Sequence, residues 1–206
     1  MTITKIALGQ ANAFLLSGKK GSILVDTGPE KYRERVLEAC RGQDVRLVFL
    51  TRGHFDHCQR AAGIAWSLGC PLALGREDIP LLAQGEKRQV FGRGFLSRLF
   101  AMASNHSIIH SKIEQTQPDV VLTDGMALEP YGVKGRVIAL PGHTAGSMGL
   151  LLHSGELFAG DAMMNFFRPS PPLCYENFQV AGETVAKIRN IAPSKVYFGH
   201  GAPSTL

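Results

Sequence analysis

The sequence of 206 residues contains no long apolar run and no pattern of a targeting segment. No stretch approaches the ~18 consecutive apolar residues that a membrane-spanning helix needs, so no membrane span is expected. The N-terminus lacks the basic flank and the apolar region of roughly 7–15 residues that mark a secretory signal. These absences lead us to expect a cytoplasmic protein.

Cysteines are also few. The four of them show no C-x-x-C spacing and no dense framework, which is typical of neither a disulfide scaffold nor a thiolate zinc cluster. Free cysteine behaves as a small hydrophobic residue, so we expect these side chains to pack in buried or half-buried positions. The cysteines are Cys40, Cys58, Cys70 and Cys174.

Low-complexity tracts and internal repeats are absent as well. The 23 glycines and 11 prolines are spread over many turns, so no linker is predicted. A content of 45% hydrophobic residues is ordinary for a soluble globular chain with a sizeable core. We therefore expect a single domain over residues 1–206.

The hydrophobic pattern predicts strands first and then alternating helices and strands, a mixed α/β class. The predicted strands cover residues 3–8, 12–16, 22–25, 45–50, 71–74, 120–122, 127–128, 136–140, 148–152, 156–158 and 195–198. The predicted helices cover residues 31–41, 58–68, 76–83 and 176–191.

One strand end concentrates polar side chains. Residues 45–50 (VRLVFL) predict a buried strand, and residues 51–57 (TRGHFDH) follow it directly. Two imidazoles and a carboxylate, from His54, Asp56 and His57, lie on a turn that can aim them at one point. These ligand types suit a divalent metal, and an ordinary polar turn is the alternative.

Three later segments repeat this arrangement. Each places a ligand-type residue beside glycine directly after an apolar run, so each predicts a strand end that opens into a turn. They carry His143 in PGHTAGS, Asp161 in AGD and His200 in FGHG.

This ordered set resembles the metallo-β-lactamase superfamily, whose pattern is Thr-His-x-His-x-Asp-His, then a His, an Asp and a last His at strand ends. The resemblance extends from the N-terminal strands and residues 25–28 (VDTG) to Gly201, nearly the whole chain. It implies an α/β fold, the αβ/βα four-layer sandwich, with a metal cleft along one edge. It also implies that Asp26 orients a histidine ligand, while a turn or N-cap role is the alternative.

The resemblance assigns metal ligands to two sites. The second site is complete and takes Asp56, His57 and His200. The first site takes His54, His143 and position 52, and Asp161 often bridges the two sites.

Arg52 stands where the family pattern has its first histidine. A guanidinium offers hydrogen-bond donors only and cannot ligate a cation. We therefore expect one tightly bound Zn²⁺, with iron or manganese as alternatives, and a first site that is empty or weakly filled. Arg52 and Asp56 are the candidate catalytic residues, because Arg52 paired with Asp56 or Asp161 can help to bind an anionic group or a developing oxyanion. Alternatively, Arg52 extends into solvent and the first site holds a weak second metal.

Residues 163–175 (MMNFFRPSPPLCY) are apolar, aromatic and rich in proline, which forbids a regular helix. A rigid loop after a ligand-bearing strand is a natural pocket wall. The candidate substrate contacts are Phe166, Phe167, Arg168 and Tyr175; core packing is the alternative for the two phenylalanines.

Residues 84–118 are the least regular part of the chain. Basic residues outnumber acidic ones there, and apolar residues near helical spacing predict an amphipathic helix. Its alternatives are a helix packed on the domain with a solvated basic face, a wall over the metal cleft that attracts an anionic substrate, and a dimer or membrane-surface contact. His106 and His110 are expected to be surface histidines.

The resemblance implies hydrolysis by a metal-activated water. The chain lacks the long insertion of the family's RNA-processing nucleases and the C-terminal helical domain of typical glyoxalase II enzymes, so we expect a small-molecule substrate and no nucleic acid. An ester, thioester or lactone is the leading hypothesis, and an amide or phosphodiester is a further option. A catalytically impaired metal-binding or sensing protein is the main alternative, ahead of a persulfide dioxygenase.

Overall fold

The computed structural model describes all 206 residues and contains twelve strands and six α-helices. The strands are β1 (Thr2–Leu8), β2 (Ala11–Gly18), β3 (Gly21–Val25), β4 (Val45–Phe49), β5 (Leu72–Gly75), β6 (Val120–Leu122), β7 (Gly135–Ala139), β8 (Met148–Leu152), β9 (Glu156–Gly160), β10 (Met164–Asn165), β11 (Pro169–Ser170) and β12 (Lys195–Phe198). The helices are α1 (Arg33–Ala39), α2 (Phe55–Cys58), α3 (Ala61–Leu68), α4 (Ile79–Ala83), α5 (Phe95–His110) and α6 (Phe178–Ile191).

Two mixed sheets carry the fold. The first has the order β1-β2-β3-β4-β5-β6; it is antiparallel through β3 and parallel from β3 to β6. The second has the order β12-β9-β8-β7, in which only the β9–β12 pair is parallel. Strands β10 and β11 form a separate hairpin.

Three apolar cores separate four layers. Along β2, Ala13 and Leu15 face a core shared with α1 and α3, whereas Phe14 and Leu16 face the second sheet. This alternation follows from the period of two in a strand. A third core packs α6 on the far side of the second sheet through Val185 and neighbours. The predicted αβ/βα four-layer sandwich is confirmed.

The predicted helix over residues 58–68 is wrong in its start and its continuity. The carbonyl of His57 accepts hydrogen bonds from the N–H groups of Thr27 and Gly28, at 2.8 and 3.1 Å, and from the Thr27 hydroxyl. Because these long-range donors occupy the carbonyl, the helix stops after α2 and restarts as α3. Asp56 and His57 therefore lie in a helical turn.

The predicted strand at residues 127–128 is reduced to one isolated bridge between Ala127 and Arg136. A short 3-10 turn over Glu129–Tyr131 begins directly afterwards. Pro130 lacks a backbone N–H, so it cannot extend a ladder at this point.

Helix α5 is the long element of the irregular segment 84–118. Only Ala101 and Ile108 of this helix are buried, and they pack in a small cluster with Val90 and Cys174. Most of its large apolar side chains are exposed. The alternative of a helix whose apolar side packs on the domain, with only its basic face in solvent, is therefore wrong. No helix of the protein combines the length and the apolar character needed to cross a membrane.

Candidate metal centre

Five segments that leave the carboxyl ends of strands converge at one edge of the sandwich, as ligand sites in α/β sheets generally do. Asp26 follows β3, residues 51–57 follow β4, His143 follows β7, Asp161 follows β9 and His200 follows β12. Strand β2 holds the segment that carries His200 in place. The side-chain amide of Asn12 in β2 donates to the carbonyls of Phe198 and Gly201, at 2.9 and 2.8 Å.

Asp56, His57 and His200 form a compact set of metal-ligand atoms. The Oδ2 atom of Asp56 lies 3.5 Å from Nε2 of His57 and 3.3 Å from Nε2 of His200, and the two Nε2 atoms are 3.4 Å apart. The point equidistant from the corners of this triangle is about 2.0 Å from each, which is the usual Zn–N and Zn–O bond length. The three residues therefore fit a divalent ion.

Hydrogen bonds on the far side of each imidazole fix its orientation. Nδ1 of His57 donates to Oδ2 of Asp26 at 2.8 Å, and Nδ1 of His200 donates to the carbonyl of Gln10 at 2.8 Å. Both Nε2 lone pairs then face the ligand triangle. Asp26 also accepts from the backbone N–H of Thr51 at 2.8 Å, and its φ of 59° is a strained value for a residue other than glycine.

His54 and His143 form a second, incomplete group. Nδ1 of His54 lies 3.2 Å from Nε2 of His143, whose Nδ1 donates to the carbonyl of Cys174 at 2.8 Å. Burial lowers the pKa of His143 to about 4, and Arg52 acts in the same direction. Burial and the neighbouring His143 hold the pKa of His54 well below its usual value. Both imidazoles are therefore neutral near pH 7.

Arg52 is buried among the ligands and is only 1% exposed. Its Nη2 atom lies 2.5 Å from Oδ2 of Asp161, 3.6 Å from Oδ2 of Asp56 and 3.4 Å from Nε2 of His200. Burial opposes ionisation of Asp161, but Arg52 and His200 outweigh it and hold the pKa of Asp161 well below its usual value. The alternative in which Arg52 extends into solvent is excluded.

Negative charge exceeds positive charge at this centre. The carboxylates of Asp26, Asp56 and Asp161 face one guanidinium, which leaves two negative charges without counting the histidines. In the metal-free protein, Asp161 and Asp56 overcome burial and raise the pKa of His200 to about 10. Asp56 and Asp26 likewise overcome burial and the charge of Arg52 to raise the pKa of His57. Two protons or one divalent ion can therefore balance the site.

Asp78 is a buried residue of the site that sequence reasoning missed. Its Oδ2 accepts from the N–H of Gly53 at 2.9 Å and the hydroxyl of Thr144 at 2.7 Å, and its Oδ1 accepts from the N–H of Gly146 at 2.9 Å. Gly53 adjoins Arg52, so this one carboxylate ties the Arg52 loop to the His143 loop. In the sequence it falls inside the predicted helix over residues 76–83 and carries no signal of a role in the site.

A cavity of about 520 Å³ opens in front of the ligands. Its walls include Phe55 and, from α5, Phe100, Ser104 and Ile108. Helix α5 thus forms a wall of the metal cleft, one of the arrangements that the sequence left open. These wall residues were missed as contacts, although Phe100 belongs to the helical apolar spacing.

The structure separates the four candidate substrate contacts. Phe166 lines the cavity, with its ring centroid 6.2 Å from that of His200. Phe167 and Arg168 are exposed outside the cavity lining, and Tyr175 is buried, with its backbone bridged to Phe91. Only Phe166 among them is positioned to meet a molecule at the metal ligands.

Residues 6–200 match the family model described as the metallo-beta-lactamase superfamily. The match covers most of the chain, so the protein belongs to this superfamily, as its motifs predicted.

Curated relatives and solved structures agree with this assignment. The chain is 28% identical to the "Probable metallo-hydrolase YflN" of Bacillus subtilis, over 89% of this chain and 76% of that protein. It is 23% identical to the "Hydroxyacylglutathione hydrolase GloC" of Haemophilus influenzae, over 78% of this chain and 70% of that protein. The fold is similar to a di-iron-bound form of TTHA1623, with a TM-score of 0.69, 23% identity, and coverage of 100% of this chain and 94% of that one. The family and these names support the prediction of a metal-dependent hydrolase.

Proton release should accompany metal binding. His57 and His200 have raised pKa values in the metal-free protein and must lose protons to become ligands, so we expect roughly one to two protons per metal near neutral pH. Affinity should fall as pH falls, because acid favours the imidazolium forms. Titration calorimetry in buffers of different ionisation enthalpy measures the protons; a heat that is the same in every buffer would contradict this prediction.

An Asp78→Asn substitution should weaken metal binding without touching a ligand. The amide replaces one accepting oxygen, which leaves a buried N–H or hydroxyl unpaired at a cost of about 1–3 kcal/mol. Chelator competition and thermal unfolding should both show the loss. Asp44→Asn, at an exposed aspartate paired with Arg46, is the matched control. Equal metal affinity and equal thermal stability of the two variants would contradict a role of Asp78 in the site.

Proposed function

We propose that this protein hydrolyses a small ester, thioester or lactone with one divalent ion held by Asp56, His57 and His200. The observation that carries the proposal is a complete ligand triangle beside a buried arginine. When bound, the ion lowers the pKa of a water molecule toward 7 and polarises a carbonyl oxygen. Imidazole and carboxylate donors suit zinc, with iron or manganese as alternatives, and the di-iron form of one structural neighbour keeps iron open.

The charge balance supports one metal per chain. Arg52 already supplies one positive charge against the three carboxylates, so one divalent ion brings the sum to zero. A further cation about 4 Å from the guanidinium would be repelled by roughly 4 kcal/mol per unit charge at an effective dielectric of 20. His54 and His143 alone offer a weak site under that repulsion.

Arg52 also carries unused hydrogen-bond donors beside the cavity. Its Nε and Nη1 atoms are buried and lack a hydrogen-bond partner, and the residue lines the cavity. Donors placed where negative charge develops stabilise an oxyanion, and they equally fit an anionic substrate group. Arg52 is thus the candidate for that role.

Asp56 has a different role toward the substrate. Its side chain is 27% exposed and faces the cavity, where it can accept a hydrogen bond from a water molecule. The outer bond to Asp26 keeps His57 from rotating out of the ligand set. Arg52 and Asp56 both line the cavity, so a donor and an acceptor face the same space in front of the ligands.

The walls favour a small carbonyl compound with an apolar part. Phe55, Phe100 and Phe166 give the cavity an apolar lining, and a volume of about 520 Å³ suits a small molecule. A relative named as a hydroxyacylglutathione hydrolase supports a thioester within this class.

A metal-binding or sensing protein without turnover is the second candidate. The observation that favours it is the position of Arg52, which takes the place of a first-site ligand and lies with Nη2 3.4 Å from Nε2 of His200, so Asp56, His57 and His200 can hold a metal without the two-metal arrangement of the family pattern.

Metal titration should separate the roles of Arg52. We expect the wild type to bind about one equivalent of zinc and Arg52→His to bind about two, because the variant removes a charge and adds an imidazole. Elemental analysis after dialysis against a weak chelator counts the bound ions. If both proteins bind two equivalents of zinc with similar affinity, the one-metal proposal is wrong. If neither protein binds a transition metal, the proposed metal centre is wrong.

Hydrolysis should depend on His57. We expect turnover on a panel of generic thioesters and lactones, and a loss of at least about 100-fold in His57→Ala, since even outer partners of a ligand contribute 10–100-fold. His153→Ala, at an exposed turn histidine, is the matched control. Metal binding without turnover of any substrate would favour the sensing alternative.

A further inference from the structure

Helix α5 presents an apolar face to solvent on the side away from the buried Ala101 and Ile108. Leu96 is 78% exposed and Met102 is 67% exposed. Single exposed apolar residues are ordinary, but a contiguous apolar patch marks a contact surface. We define the outer face of α5 as Phe95, Leu96, Leu99 and Met102, which follow one another at helical spacing, with Ile109 beyond the exposed His106 on the same side.

Basic residues bracket this face at both ends. Arg93 and Arg98 lie near the start of α5, while Lys112 follows its end and Lys87 donates to the carbonyl of Ser111 at 2.8 Å. Arg93 lies 4.4 Å over the ring of Phe178.

None of these four basic side chains forms a salt bridge with a carboxylate. The nearby Glu86 and Glu176 both pair with Arg88, and α5 itself contains no Asp or Glu. The positive charge around the outer face is therefore not neutralised within the protein.

The chemistry of this surface selects among occupants. A second copy of this chain would bring like charges together, because the outer face has no carboxylate to meet the arginines of the other copy. A nucleic acid offers phosphates but no apolar layer for the leucine and phenylalanine side chains. An anionic lipid surface offers both a layer of phosphates and an acyl boundary.

We propose that the outer face of α5 docks on an anionic phospholipid surface. The apolar side chains enter the boundary between headgroups and acyl chains, and Arg93, Arg98, Lys87 and Lys112 meet the phosphates. The inner side of the same helix lines the metal cavity through Phe100, Ser104 and Ile108. Docking therefore places a wall of the metal cavity next to the lipid surface, on the inner side of the docked helix.

Sedimentation with vesicles tests the docking directly. The full-length protein should sediment with phosphatidylcholine vesicles that contain phosphatidylglycerol and much less with phosphatidylcholine alone. Binding should weaken as salt is raised, because the charges act across solvent. A wild type that fails to bind anionic vesicles at low salt overturns the proposal.

Paired variants test the two parts of the surface. Leu96→Gln with Met102→Gln should lower binding by at least about tenfold, because each removes an apolar side chain from the lipid boundary. Trp66→Gln is the matched control, since Trp66 is 84% exposed on α3. Arg93→Gln with Arg98→Gln should abolish the preference for anionic vesicles, and Lys19→Gln with Lys20→Gln, in an exposed turn, should leave it unchanged.

Light scattering and circular dichroism complete the test. All variants change exposed residues, so native dichroism with lost vesicle binding supports docking through α5. Equal binding by Leu96→Gln with Met102→Gln and by Trp66→Gln overturns it. A wild-type dimer that becomes monomeric in the Leu96 and Met102 variant, with no vesicle binding by either, also overturns it and assigns the face to self-association.

Discussion

The ion pair between Arg52 and Asp161 is the interaction on which the rest of the centre depends. A buried guanidinium needs a carboxylate, and a buried carboxylate needs a cation, so each keeps the other charged inside the protein. Their 2.5 Å contact places a fixed positive charge in the middle of the histidine ligands. With this pair neutral overall, the carboxylates of Asp26 and Asp56 are the charge that protons or a metal ion must balance.

Precise placement of these charges comes from residues outside the ligand set. Asp26 holds the ring of His57 through Nδ1, and Asp78 holds the backbone of two ligand loops. Both carboxylates are buried and accept several hydrogen bonds, so each is satisfied without a metal. The ligand loops can therefore be held in place before an ion arrives, which reduces the reorganisation that binding requires.

The convergence of the candidate ligand residues could be predicted because each lies in a local pattern, an apolar strand followed by a turn with one side chain of a metal-binding type. Asp78 could not, because its partners Gly53 and Thr144 lie 25 and 66 residues away along the chain. The break between α2 and α3 has the same origin, since distant N–H groups capture the carbonyl of His57. For α5, apolar spacing predicted the helix but could not say which of its sides the domain covers.

The position of Arg52 also has an evolutionary consequence. Some arginine and histidine codons differ by a single base, so one mutation can exchange the internal cation for an imidazole. Because Asp26 and Asp78 are bonded independently of residue 52, they would keep holding the ligand loops, and a second cation would replace the guanidinium as the partner of Asp161. A lineage built on this scaffold could therefore change the metal stoichiometry of its active site in one step, without passing through an unfolded intermediate.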